Sequence, residues 1–173
     1  MKIKQPRPQL DYLLSETRRQ LIDFSNMADT KANILLSVSS VLITIALTRV
    51  NDPSWRLAVV VLSIFMLITI TLALLTVIPN IDISPRRKRL KDDPEFNPLF
   101  FGNYSHMSYE EYDKHMERIL NDPNASYEVQ VHEIYYVGVY LKHTKYNFVK
   151  YGYIFFFIGT ISSILIYLAQ NLK

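Results

Sequence analysis

The sequence contains no cysteine, and only four glycines and eight prolines occur among its 173 residues. The absence of cysteine excludes disulfide frameworks, thiol catalysis and cysteine-ligated metal sites. The low glycine and proline content excludes collagen-like and low-complexity chains. The motifs of phosphate-binding loops, serine hydrolases and zinc proteases do not occur, and the four histidines are scattered. We therefore expect no catalytic residues, no metal site and no enzymatic activity.

Charge is missing from three long stretches. No Asp, Glu, Lys or Arg occurs in 32–48, 57–78 or 151–169, which together contain 58 residues. All 35 charges fall in the other 115 residues, of which about 30% are charged. An apolar helix of about 20 residues is long enough to cross the hydrocarbon core of a bilayer. The sequence therefore predicts an all-α integral membrane protein with three transmembrane helices.

The chain divides into five predicted segments. They are a cytosolic helix at 1–31 continuous with the first span, transmembrane helices at 32–49, 56–79 and 149–170, and a cytosolic loop with helices at 80–148. No signal peptide precedes them, because the first apolar run follows a charged helical segment. The first run is the shortest and contains six Ser, Thr and Asn residues, so a buried core helix is its alternative interpretation.

The distribution of Lys and Arg predicts the orientation in the membrane. Residues 1–31 contain six and residues 80–150 contain ten, whereas Arg49, Arg56 and Lys173 are the only others. Cytoplasmic segments near the membrane carry an excess of positive charge. We therefore expect the N-terminus and the 80–148 region in the cytosol of a bacterial cell, at its inner membrane, and the C-terminus outside.

Two apolar seams extend the first and third spans into the cytosol. The first seam has the three- and four-residue spacing of a helix face and consists of Leu10, Leu14, Thr17, Leu21, Phe24 and Ala28. The second consists of Val131, Ile134, Gly138, Leu141, Lys145 and Phe148, and its pattern predicts a regular helix into the third span. A short helix is predicted over 108–120, where Ser108 and Glu111 fit a capping box. Together with the two extensions, it predicts a cytosolic helical bundle. The region 80–104 is interpreted as a loop, and 124–126 as a helix cap.

Three blocks of sequence carry a resemblance to a known family. The first is 24–36, FSNMADTKANILL; the second is 97–112, with NPLFFG followed by MSYEEY; the third is 132–146, with HEIYYVG followed by KHTKY. In this order, and over nearly the whole chain, they resemble the transmembrane effector of the Pycsar bacterial anti-phage system. The third block departs from the Lys-Lys-Tyr turn usual in that family.

The resemblance implies a defence function. In that family a dedicated cyclase makes cyclic CMP or cyclic UMP on infection, and the membrane effector responds by impairing the inner membrane, which causes abortive infection. It implies a cyclic pyrimidine nucleotide as ligand, no cofactor, and the lipid bilayer as a partner. We also expect a homo-oligomer, since several three-span subunits are needed to perturb a bilayer, and no nucleic-acid partner.

A cyclic pyrimidine nucleotide needs an apolar face for its base, amide or hydroxyl groups for the base edge, and a cation for its phosphate. The candidate ligand-binding residues are Arg86, Arg87, Asn97, Phe100, Phe101, Asn103, His106, Lys142 and Lys145. The basic residues and the phenylalanines each have an alternative role that needs no ligand. The basic run at 86–91 also fixes the cytosolic face of the membrane protein, and the phenylalanines also anchor a loop on a bundle.

Asp29 and Lys31 are the candidate coupling residues, because they lie where the first helix enters the membrane. Asp29 is predicted to pair with Lys145 or Lys142, which stand at a similar height before the third span. That pair would join the two long helices and respond to ligand. The alternative is that both charges extend to the interface without a specific partner.

Polar residues recur on one face of the first span, at Asn33, Ser37, Ser40, Thr44 and Thr48. This spacing is typical of close helix packing, and the wall of a water-filled pore in an oligomer is the alternative. The small residues Gly152, Gly159 and Ser163 predict a packing face on the third span as well. For the chain as a whole, the alternative function is a constitutive membrane scaffold that recruits a cytosolic protein without a nucleotide.

Overall fold

The computed structural model describes residues 3, 6–78, 97–105 and 107–172. Every regular element within these residues is helical, so the predicted all-α fold is confirmed there. The elements are α1 (Pro8–Leu47), α2 (Arg56–Val77), α3 (Phe101–Tyr104), α4 (Tyr109–Asn121), α5 (Pro123–Tyr140), a π-helix π1 (Leu141–Tyr146) and α6 (Asn147–Asn171).

Three helical stretches are long and apolar enough to cross a membrane. They are Pro8–Leu47, Arg56–Val77 and Pro123–Asn171, and the last of these combines α5, π1 and α6. Each contains one of the three uncharged runs. The protein is therefore a membrane protein with three candidate spans among its described residues.

The chain forms two compact units. The first consists of Met1–Asp23 with Asn80–Tyr140, and the second of Phe24–Pro79 with Leu141–Lys173. Both long helical stretches contribute to both units, since α1 passes from the first to the second at residue 23 and the α5–π1–α6 stretch does so at residue 140.

In the first unit, α4 begins with the capping box that the sequence predicts. The Ser108 hydroxyl accepts a hydrogen bond from the Glu111 amide, and the Glu111 carboxylate accepts one from the Ser108 amide. These bonds satisfy two amides that a helix N-terminus otherwise leaves without partners. The predicted cap of α5 at 124–126 is wrong. The helix begins at Pro123, whose ring suits the first helical position, and the Asp122 carboxylate accepts from the Asn124 amide at 2.9 Å.

Side-chain bonds join α1 to α5 within the first unit. Arg18 donates to Glu133 at 2.6 Å, and the Tyr127 hydroxyl donates to the Asp11 carboxylate at 2.5 Å. Tyr127 is only 6% exposed. The phenol can donate this bond only while it is protonated, so Asp11 raises the pKa of Tyr127. The bond is therefore lost only as pH rises through that raised value, above the ordinary phenol value of about 10.

In the second unit, one face of α1 supplies much of the core. The fully or almost fully buried residues on this face are Ala28, Ala32, Leu35 and Ser39. Ala73 of α2 and Val149 of α6 complete the apolar cluster. Small side chains let helix backbones approach closely, which is the main way that helices associate in a bilayer.

The packing faces of α2 and α6 follow the same rule. Gly152 and Gly159 are buried on α6, as the sequence predicts for a packing face. The Ser163 hydroxyl donates to the Ala58 carbonyl of α2 at 3.0 Å. Near the start of α2, the Trp55 ring stacks on Tyr167 with 3.9 Å between the centroids. These contacts run the length of the pair.

The polar face of α1 does not form part of this packing. Asn33, Ser37, Ser40, Thr44 and Thr48 are all exposed in the single chain, so they do not pack within it, and helix packing or a pore wall between copies stays a prediction for this face. The face that packs is rotated around the helix and is built mainly of alanine and leucine. The four hydroxyls donate to carbonyls of their own helix at 2.7–2.9 Å, which lowers the cost of exposing them to lipid.

The third long stretch departs from the regular helix that its sequence pattern predicts. Six residues from Leu141 to Tyr146 form a π-helix between α5 and α6. A π-helix accommodates an extra residue per turn, is rare, and often occurs at functional sites. The interpretation of 80–104 as a loop is corrected as well at its end, because α3 occupies Phe101–Tyr104.

Candidate functional site

The most distinctive polar contact in the second unit joins α1 to π1. The Lys145 ammonium donates to both carboxylate oxygens of Asp29, at 2.7 and 2.6 Å, and to the Ser25 hydroxyl at 2.9 Å. The Lys145 side chain is 13% exposed and that of Asp29 is 31% exposed. A partly desolvated ion pair with a third acceptor is stronger than a pair in open water. The predicted pairing of Asp29 is thus present, with Lys145 as its partner.

The π-helix explains which of the two candidate lysines pairs with Asp29. Lys145 and Tyr146 close π1, and both bond to α1, since the Tyr146 hydroxyl donates to the Phe24 carbonyl at 3.2 Å. Lys142 is exposed near the start of π1. Two side chains therefore fix π1 to α1. Such irregular turns are frequent at functional sites.

The candidate ligand residues that the structure describes belong to different units. Asn97, Phe100, Phe101 and Asn103 lie in the first unit, whereas Lys142 and Lys145 lie in the second, as do the coupling residues Asp29 and Lys31. Arg86, Arg87 and His106 lie outside the described residues. The ligand-binding roles of all nine candidates stay predictions.

The segment 97–104 is an ordered turn followed by α3. The Asn97 carboxamide oxygen accepts from the Leu99 amide at 2.8 Å, and the Asn103 amide group donates to the Asn97 carbonyl at 3.1 Å. Both asparagines are buried. A buried amide that bonds backbone groups fixes a turn, so the side-chain amide of each asparagine serves the fold.

Two aromatic side chains of this segment, those of Phe100 and Tyr104, are more accessible. Phe100 is 44% exposed, which leaves part of its ring open to a stacking partner. Tyr104 packs against Tyr112 of α4, with 5.2 Å between the ring centroids. Of the described residues in this segment, Phe100 therefore best retains the property that a base-stacking residue needs.

Replacing Asn103 by alanine should destabilise the first unit and leave any nucleotide affinity within twofold, because the amide supports the turn. We expect the free energy of unfolding to fall by about 0.5–1.5 kcal/mol, the usual loss of one buried hydrogen bond. Thermal unfolding in detergent would measure this, with Asn121→Ala in exposed α4 as the matched control. A large loss of nucleotide affinity at unchanged stability would instead assign Asn103 to the ligand.

Sequence reasoning missed the contacts of α1 with α5. Asp11–Tyr127 and Arg18–Glu133 join positions more than 110 residues apart, and no local pattern marks them. The pair Glu16–Arg19 could have been predicted, because opposite charges three residues apart on a helix lie next to each other. Their bidentate pair, at 3.0 and 2.7 Å, lowers the pKa of Glu16 and raises the pKa of Arg19.

No group of His, Asp and Glu residues that could hold a metal ion occurs in the described part of the chain. His132 lies against the Tyr136 ring, at 4.4 Å between centroids. The polar contacts described above join one helix to another, and the most central of them is the Asp29–Lys145 pair at π1.

Comparison with known proteins gives one match. The family model described as the Pycsar effector protein domain matches residues 13–170. This range contains all three uncharged runs, the 97–104 segment, the Asp29–Lys145 pair and π1. Neither the curated proteins nor the solved structures give a match.

Proposed function

The chain belongs to the Pycsar effector family, and from this premise we propose that it is an inner-membrane effector of anti-phage immunity that cyclic CMP or cyclic UMP activates. Its output is impairment of the membrane and abortive infection, without chemical turnover. The observation that carries the proposal is the family match over 13–170, which contains all three apolar runs.

The charge distribution supports a cytosolic position for the sensing part. Sixteen of the 19 Lys and Arg residues lie in 1–31 and 80–150. By the positive-inside rule these segments face the cytosol, where a nucleotide second messenger is made. The C-terminus then lies outside, after three spans.

The chemistry of the 97–106 segment supports nucleotide recognition. Phe100 offers a partly exposed ring on which a pyrimidine can stack. The basic residues Arg86, Arg87, Lys142 and Lys145 supply the cations that a phosphate requires, and guanidinium groups bind phosphate oxygens in pairs. Phe101 and His106 complete the set of proposed ligand contacts, while Asn97 and Asn103 support the turn that carries Phe100.

The Asp29–Lys145 pair and π1 support a route for activation. A π-turn holds an extra residue, and its removal would advance the helix that follows by one position, about 100° of rotation and 1.5 Å of rise. The contacts of Lys145 with Asp29 and of Tyr146 with Phe24 hold π1 in its present form. A ligand that competes with Asp29 for Lys145 would release π1 and change the register of α6. Lys31, two residues after Asp29, is the second proposed coupling residue and lies near the membrane surface.

The polar face of α1 supports assembly into a homo-oligomer. Asn33 is exposed on this face. An amide in lipid without partners is costly, so this side chain favours contact with a second copy or with water inside an assembly. No span contains an ionisable residue, which disfavours a proton-coupled transporter.

Titration calorimetry on the detergent-purified chain tests the proposal. Cyclic CMP, cyclic UMP and cyclic AMP are titrated in parallel, with linear CMP as the control for the cyclic phosphate. We expect one cyclic pyrimidine nucleotide to bind at micromolar or tighter affinity and cyclic AMP to bind at least 100-fold more weakly. The same nucleotide should then release dye from vesicles that contain the protein.

No binding by monodisperse protein would contradict the sensor and favour a constitutive scaffold. A specific observation supports that second function: large side chains such as Tyr12, Tyr109 and Leu120 are at least 70% exposed in the first unit. Exposed aromatic and aliphatic groups are suited to a protein partner. Equal growth arrest with and without a cognate cyclase would point the same way.

A further inference from the structure

A cleft of about 350 Å³ lies in the second unit, between α1 and the start of α6. It is lined by Lys31, Tyr146, Val149, Lys150 and Tyr153. Its volume falls at the lower end of the range for small-molecule sites, about 300–1,000 Å³. None of the functions proposed above uses Lys150 or Tyr153.

Two elements build the cleft. Lys31 comes from α1, and the other four residues come from the end of π1 and the first two turns of α6. Tyr146, Val149, Lys150 and Tyr153 stand at i, i+3, i+4 and i+7, which places them on one helix face. Val149 is buried and forms an apolar floor, while both lysines are exposed.

The two ammonium groups give the cleft a positive charge that no carboxylate of the described residues neutralises in an ion pair. The nearest carboxylate in the sequence, Asp29, is bound on both oxygens by Lys145. Neither Lys31 nor Lys150 forms an ion pair within the described residues. Lys150 has one aromatic neighbour, with its ammonium 5.9 Å from the Tyr151 ring centroid. A small anion would neutralise this charge.

The position of the cleft along the helices indicates where that anion comes from. Lys31 immediately precedes the uncharged run 32–48, and Lys150 immediately precedes 151–169. Residues at these points stand at the level of lipid headgroups, and tyrosines such as Tyr146 and Tyr153 are typical of that level. Anionic lipids attract basic groups next to a span.

We propose that this cleft binds a phosphodiester monoanion, supplied by the headgroup of an anionic glycerophospholipid. The Lys31 and Lys150 ammoniums donate to the phosphate oxygens, the Tyr153 hydroxyl stands where it can donate as well, and the acyl chains follow the apolar surface of α6. A cyclic nucleotide carries the same phosphodiester group and is the other source of this chemistry. Lipid binding here does not depend on the proposed sensing function.

Native mass spectrometry of the full chain, with phosphatidylglycerol or phosphatidylcholine added to the detergent, tests the site. The wild-type chain should retain phosphatidylglycerol in preference to phosphatidylcholine. The double variant Lys31→Gln/Lys150→Gln should bind phosphatidylglycerol about 25-fold more weakly, since each cation at the surface contributes a factor of about five. The matched control is Lys114→Gln/Arg118→Gln, which removes two exposed cations that do not line the cleft.

Loss in the double variant with little change in the control supports the site. An equal loss in both variants would reduce the effect to total charge and overturn the proposal, as would unchanged retention in the double variant. Cyclic CMP and cyclic UMP are then added to distinguish the sources. Displacement of phosphatidylglycerol by a nucleotide, absent in the double variant, would assign the phosphodiester site to the nucleotide; no displacement assigns it to the lipid.

Discussion

Replacing Lys145 by methionine is expected to lower the free energy of unfolding by about 1.5–3 kcal/mol, the range for hydrogen bonds to charged groups. Its ammonium bonds both Asp29 oxygens and the Ser25 hydroxyl, all within 2.9 Å. The Lys145 side chain is 13% exposed, so water replaces these bonds poorly. Asp29 is 31% exposed, which keeps the loss below the roughly 3–5 kcal/mol of a fully buried pair.

Thermal unfolding in detergent, followed by circular dichroism, measures this loss. Lys142→Met is the matched control, because it removes an exposed lysine from the same π-helix and should change stability by less than about 0.5 kcal/mol. A double-mutant cycle with Asp29→Asn isolates the pair. Strictly additive effects of the two substitutions would mean that the residues do not interact.

The same variants test the proposed coupling role. Asp29→Asn removes the carboxylate that holds Lys145, so π1 should be released without any ligand. We therefore expect growth arrest even in cells that lack the cyclic nucleotide, while membrane insertion stays within twofold of the wild-type value. Growth arrest that still requires the cyclic nucleotide in Asp29→Asn would leave the pair with a purely structural role.

Replacing Gly159 by alanine is expected to be the most disruptive single-methyl change in the second unit. A Cβ at this position would lie 2.3 Å from the Phe65 Cβ and 2.9 Å from its Cγ. The Phe65 Cβ is attached to the backbone of α2 and cannot rotate away, so α2 and α6 must separate. Overpacking of this kind costs about 1–3 kcal/mol, and close packing is the main attraction between helices in a bilayer.

Two other glycines provide a graded control. At Gly138 the nearest atom to a new Cβ is the Leu21 Cδ2, at 3.9 Å, so alanine fits and should stabilise the helix by about 0.5–1 kcal/mol. At Gly152 the Leu35 Cδ1 lies at 3.0 Å, and this flexible side-chain end can move. The melting temperatures should rank Gly138→Ala highest, then Gly152→Ala, then Gly159→Ala. A Gly159→Ala protein as stable as the wild type would contradict the close contact of α2 with α6.

Several features of this protein were available from local sequence. The uncharged runs predict the three candidate spans, because a bilayer excludes charge over about 20 residues. The Ser108–Glu111 capping box predicts the start of α4, because its bonds close within one helical turn. The glycines of α6 predict a packing face, and the sequence blocks predict the family that the comparison confirms.

The asparagines at 97 and 103 illustrate a limit of prediction from local sequence. The sequence offers both as ligand-binding amides, and their burial and bonds to the backbone became visible only in the folded turn. Residue type states which bonds a side chain can make. The surrounding fold determines how many of those bonds are already made.

The sequence by itself determined that this is a helical membrane protein of the Pycsar effector type, because hydrophobicity, capping and family motifs act over short stretches of chain. Only the tertiary structure decided that Lys145 pairs with Asp29, that α1 packs through its alanine face while its hydroxyl face stays exposed, and that π1 interrupts the third long stretch. These features depend on contacts between residues more than 100 positions apart, such as the 116 positions between Asp29 and Lys145. A helical pattern repeats every three or four residues and carries no information about which distant helix will face it.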